Sequence, residues 1–99
     1  MNGYQYALFK DKNKVDQYQD FIIGLIHSYK ELGVNAILKL LKDHHISSIH
    51  TTHKALIKCI DQGYLKAERD INDSRRKIIT LTNKGKDYIS DLQHIFKEW

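Results

Sequence analysis

Between Arg69 and Lys77 the chain sets four cations, Arg69, Arg75, Arg76 and Lys77, around two carboxylates, Asp70 and Asp73, with Ile71 the single apolar residue among them. A short polar run so rich in guanidinium groups suits a polyanion, because each cation that meets a phosphate releases bound counterions. Four histidines, His44, His45, His50 and His53, raise a metal reading, since imidazoles at i and i+3 can share one ion. Protein zinc sites take a third or fourth ligand, and the one cysteine, Cys59, falls inside a helical pattern. Ordinary surface or groove-facing histidines are therefore expected. Cys59 lies one residue before apolar Ile60 and has no second thiol to resolve an oxidised form, so it reads as a buried, inert side chain. No Gly-rich phosphate loop, nucleophile elbow or helical metal motif occurs. Neither an enzyme nor a cofactor is expected.

The elements that must position the cationic run follow from periodicity. With 99 residues and 41% hydrophobic content, the chain can build one core. Residues 1–14 are ambiguous: Tyr4, Tyr6 and Leu8 alternate like a strand, but the stretch could also begin a helix. From residue 16 to 31, Tyr18, Phe21, Ile22, Leu25, Ile26 and Tyr29 recur at helical spacing, with Gly33 as the expected stop. Val34, Ile37, Leu38 and Leu41 mark a second, short helix. Ser47 or Ser48 can cap a third, which directs Ile49, Leu56 and Ile60 inward, holds Thr52, His53 and Cys59 on or near that face, and ends at Gly63.

Thereafter the period becomes two. Leu65 and Ala67 alternate with polar residues, and after a polar loop Ile79 and Leu81 do the same. A final helix capped by Thr82 carries Tyr88, Leu92, Ile95, Phe96 and Trp99. The fold expected is mainly α with a small β-hairpin, a winged helix-turn-helix in the order α-α-α-β-β-α. It forms one domain, with a recognition helix over 47–62 and a wing over 64–81. Of the net charge of +4, residues 47–80 hold an excess of three, so the charge gathers where this motif falls. The aromatics at helical spacing read as core or interface.

The string from Arg69 to Gly85 resembles the wing of the MarR family, including its SarA-type members, which carry D-x-R at the wing tip and then an apolar strand ending in L-T-x-x-G. Here these are Asp73-Ser74-Arg75 and Leu81-Thr82-Asn83-Lys84-Gly85. Upstream, Ile57 to Leu65 is similar to the exit of the family's recognition helix into its first wing strand. The likeness covers about residues 16–88. It implies a recognition helix in the major groove of duplex DNA, with Ser47 at its start and Ser48, His50, Thr51, Lys54 and Lys58 outward. It also implies that Arg75 reaches the minor groove with Asp73 holding its guanidinium, while Lys66, Arg69, Arg76 and Lys77 meet phosphates.

The family carries longer helices at both ends, which build its dimer. Only about fifteen residues precede the first clear helix here, and the chain stops at Trp99. The resemblance is thus to a shortened member, with a smaller homodimer interface expected from Tyr4, Tyr6, Leu8, Phe9, Ile23 and the last helix. The function implied is sequence-specific binding of double-stranded DNA by a transcriptional repressor. Two alternatives share the fold: a protein-interaction module such as an anti-repressor or adaptor, and a plasmid or phage replication protein. With a single cysteine, no signal-peptide pattern and no apolar run of membrane-spanning length, the compartment expected is the cytoplasm.

Overall fold

Asp16 begins the first helix by satisfying its free N–H groups: its carboxylate accepts from the Gln19 N–H at 2.9 Å, and the Gln19 side chain accepts from the Asp16 N–H at 3.1 Å. This reciprocal cap starts α1 (Gln17–Tyr29). Then follow β1 (Glu31–Gly33), α2 (Val34–Asp43), α3 (Ile49–Asp61), β2 (Leu65–Arg69), β3 (Lys77–Leu81) and α4 (Asn83–Lys97). The computed structural model describes residues 7–9 and 13–97. Tyr4, Tyr6 and Trp99 lie outside the described residues. Residues 7–9 are helical, and the Phe9 ring stacks on Tyr88 with centroids 5.3 Å apart.

The expected winged-helix order is present, with one addition. The three strands form an antiparallel sheet in the order β1-β3-β2, in which Leu32 pairs with Ile79 and Leu65 with Leu81. β1 has only three residues, too few for alternation to register. α1 ends before Gly33: the chain turns at Lys30, whose φ is 74° and whose N–H donates to the Ile26 carbonyl at 2.7 Å. Gly33 closes β1 and serves as N-cap of α2.

The helical faces also differ from the expected stripes. α1 buries Gln19, Ile22, Ile23 and Ile26, while Phe21 is 45% exposed and Tyr29 is exposed. Apolar residues recur at helical spacing along more than one line of this helix, so the stripe alone did not set its rotation. A glutamine takes the buried position because its amide donates to the Gln62 side chain at 2.6 Å, and a paired polar group can be buried at little cost. Ile23, expected at a dimer interface, lies in the core of the single chain, and Phe9 packs on that core. α3 buries Thr52, Ala55, Leu56 and Cys59; Ile60 is partly buried, whereas Ile49 and His53 are exposed. In β2 only Leu65 is buried, and Ala67 is exposed against expectation, because the hairpin leaves the core after its first residue. Tyr88 and Ile89 anchor α4, and Phe96 is exposed.

Candidate nucleic-acid interface

The tip of the β2–β3 hairpin is built from two side-chain-capped turns. Asp70 Oδ1 accepts from the Asn72 N–H at 2.9 Å, and Asp73 Oδ1 accepts from the Arg75 N–H at 3.0 Å. Such turns arise because a short carboxylate can mimic a backbone acceptor two residues on. Backbone bonds from Asp70 N–H to Arg76 O at 2.9 Å and from Arg76 N–H to Asp73 O at 3.0 Å close the loop. Asp73 Oδ1 also lies 3.3 Å from Arg75 Nε. The Arg75 side chain is 90% exposed, so it is steered by its neighbour while remaining open to solvent.

Arg76 takes a different course. Its Nη1 is 3.9 Å from Asp70 Oδ2, and its Nε would lie 3.0 Å from a Cβ placed on Gly33. The two consecutive arginines thus diverge, one outward and one over the junction of β1 and α2. Arg75, Arg76, Lys77 and Asp73 line an open cleft of about 560 Å³ with Gly33, Val34, Asn35 and Ala36. The last three form the first turn of α2, and its N-cap offers no side-chain acceptor. Free N–H groups and the positive end of a helix dipole therefore border a cationic cleft, a feature not anticipated from the sequence.

At the base of the loop, Arg69 and Lys77 are directly paired across the ladder. Like charges so placed repel, and an anion between them would relieve that cost. Lys66 is less available: its Nζ is 3.1 Å from Glu68.

On α3 the expected residues fall into separate groups. Ser48 is the N-cap: its Oγ accepts from the Thr51 N–H at 3.1 Å and donates to Thr51 Oγ1 at 3.0 Å. Ser47, Ser48 and Thr51 line an open cleft with Tyr18, Lys42, His45 and Ile46. His50 and Lys54 are exposed, and His53 and Ile57 join them at i, i+3, i+4 and i+7 on one face. His53, expected on or near the inward face, is exposed; of the other residues expected on or near that face, Thr52, Leu56 and Cys59 are buried, Ile60 is partly buried and Ile49 is exposed. Lys58 stands apart, with Nζ 3.5 Å from the Asp16 carboxylate that caps α1. Among the described residues no three His, Cys, Asp or Glu side chains are grouped to hold a metal.

The junction behind α3 fixes where the hairpin emerges. Gly63 has a φ of 87°, and Thr82 Oγ1 donates to the Gly63 carbonyl while accepting from the Gly85 N–H at 3.0 Å. The Thr82 N–H donates to the Tyr64 carbonyl at 3.2 Å. A Cβ on Gly85 would run into that carbonyl, so L-T-x-x-G is a device that seats the start of α4 on the exit of α3. Lys84 Nζ completes it, donating to the Gln62 carbonyl at 2.6 Å and lying 4.6 Å from the Tyr64 ring centroid. Cys59 is fully buried, its thiol 3.9 Å from the Gln19 carbonyl, and burial pushes its pKa from 9.0 up to about 12.

No protein-family model matches the chain, and no curated protein sequence does. Solved structures do. The S. aureus MepR–DNA complex matches with a TM-score of 0.83 and 22% identity over 96% of this chain and 75% of that one. A MarR transcriptional regulator from Methanosarcina mazei Go1 matches with a TM-score of 0.72 and 25% identity, over 97% of this chain and 70% of its own. The adhesin competence repressor AdcR from Streptococcus pyogenes gives a TM-score of 0.66 and 27% identity, over 96% and 68%. These neighbours are regulators rather than enzymes. Among the described residues no helix is long and apolar enough to cross a membrane.

Proposed function

We propose, from the premise that this chain carries the MarR-type winged-helix fold, that it binds double-stranded DNA in a sequence-specific way and regulates transcription. The observation that carries the reading is the hairpin tip, where Asp73 presents an otherwise solvent-exposed Arg75 beside Arg76 and Lys77. In this reading α3 is the recognition helix, with His50, His53 and Lys54 at base edges in the major groove and Ser47, Ser48 and Thr51 at its entry. Arg75 enters the minor groove, whose negative potential favours a guanidinium. Arg69, Arg76 and Lys77 meet phosphates, and the cross-strand repulsion of Arg69 and Lys77 is relieved there. Lys58 and Lys66 contribute less, being engaged by Asp16 and Glu68.

The chain acts in the cytoplasm as a repressor, bound as a homodimer to a two-fold symmetric site. The exposed Phe21 and Phe96 support an association surface on α1 and α4. The resemblance to the MepR–DNA complex supports the duplex as ligand.

The test is a fluorescence-anisotropy titration of a labelled genomic duplex library at two salt concentrations, with Arg75→Ala alongside. Binding that falls steeply with salt and depends on Arg75 is expected, because phosphate contacts release counterions. No binding even at low salt overturns the reading and points to a protein partner.

A further inference from the structure

The loop that presents Arg75 also presents Ile71, which is 99% exposed. Single exposed aliphatic side chains are ordinary on protein surfaces, but three features set this one apart. Its backbone is held from both sides: Ile71 is the middle residue of the turn in which Asp70 accepts from the Asn72 N–H, and the bond from Asp70 N–H to Arg76 O closes the loop beneath it. It shares the loop with Arg75, which Asp73 holds. Finally, both carboxylates of the loop face its own arginines, so the net positive surface of four cations against two acids surrounds a lone apolar tip. A cationic loop with one fully exposed aliphatic group matches a polyanion that also offers apolar surface.

We propose that Ile71 is a minor-groove wedge. Resting on the duplex-binding reading above, it enters the groove beside Arg75, inserts its side chain at a base step and bends the duplex. Aliphatic side chains kink DNA in this way by partly unstacking a step. Pyrimidine–purine steps yield most readily, so Ile71 selects deformable sequence without a hydrogen bond to any base. The residue that looks least suited to a charged loop then adds specificity where the cations add attraction.

The probe is the tightest duplex selected from a random-sequence library, labelled at its ends with a donor and an acceptor and, in a second series, carrying 2-aminopurine at successive positions. The wild-type protein is expected to shorten the end-to-end distance and to raise 2-aminopurine fluorescence at one step. Ile71→Ala is expected to abolish both signals and to weaken binding roughly tenfold, the scale of losing most of one aliphatic contact. The salt slope stays unchanged, because no phosphate contact is removed. Ile71→Leu retains the signals. The side chain touches nothing in the free protein's core, so unchanged melting temperatures will confirm that each variant folds. If Ile71→Ala binds, bends and unstacks as the wild type does, or if the wild type itself unstacks no step, the wedge is overturned while duplex binding stands. If neither protein binds any duplex, the duplex-binding reading falls and the wedge with it.

Discussion

Asp73 holds Arg75 at two points, accepting its backbone N–H at 3.0 Å and lying 3.3 Å from its Nε with the same oxygen. The contact sets the direction of a guanidinium that is otherwise in water, and an exposed pair of this kind adds little to stability. Its consequence belongs to binding. Arg75→Ala is expected to weaken duplex binding by about 1–3 kcal/mol, roughly fivefold to 150-fold, and to lower the salt slope by about one. Asp73→Ala removes a negative charge near the DNA, so a purely electrostatic role predicts tighter binding; a positioning role predicts binding weakened a few-fold. Anisotropy titrations of both variants decide by the sign of the Asp73 effect.

The seat of α4 on the exit of α3 should be intolerant of a single methyl group. Gly85→Ala places a Cβ against the Tyr64 carbonyl and close to Leu81, and neither backbone nor packed side chain can move cheaply. A loss of about 2–3 kcal/mol is expected from overpacking, seen as a fall of about 10 °C or more in Tm. A Tm within a degree of wild type would show that the junction is looser than its geometry.

Thr52 is fully buried with its Oγ1 unpaired among the described residues. An orphaned hydroxyl is costly, and replacing it by a methyl of the same shape removes the cost. Thr52→Val should therefore raise stability by about 1 kcal/mol, or about 4–8 °C in Tm, whereas Thr52→Ala lowers it by opening a cavity. Calorimetry of the two variants distinguishes volume from hydrogen bonding.

Cys59 is expected to resist thiol reagents at pH 8 in the native protein and to react readily in urea. Burial raises its pKa from 9.0 to about 12, so above pH 9 the unfolded chain sheds a proton that the folded chain keeps. The stability tied to this thiol is whole below about pH 9 and is lost as pH rises toward 12, at up to about 1.4 kcal/mol per pH unit. Urea titrations between pH 8 and 11 should show this loss in the wild type and its absence, relative to the same baseline, in Cys59→Ala.

The succession of three helices, a hairpin and a last helix was legible in periodicity, and the resemblance to the MarR wing pointed to the pairing at the hairpin tip. Asp73 and Arg75 are two residues apart, and an aspartate bonding two residues on is a local event. The caps at Ser48 and Thr82 were legible for the same reason. Tertiary structure alone decided the rest. Helical spacing admitted more than one rotation of α1 and left the edges of the inner face of α3 open; only contact with the rest of the core chose Gln19 over Phe21, buried Ala55 and left Ile49 and His53 exposed. The pairing of β1 with β3, the divergence of Arg76 over Gly33 and the tie of Lys58 to Asp16 join residues far apart in the chain. Periodicity records the local preference of each segment, but which faces meet depends on burying all of them at once, and that is a property of the whole chain.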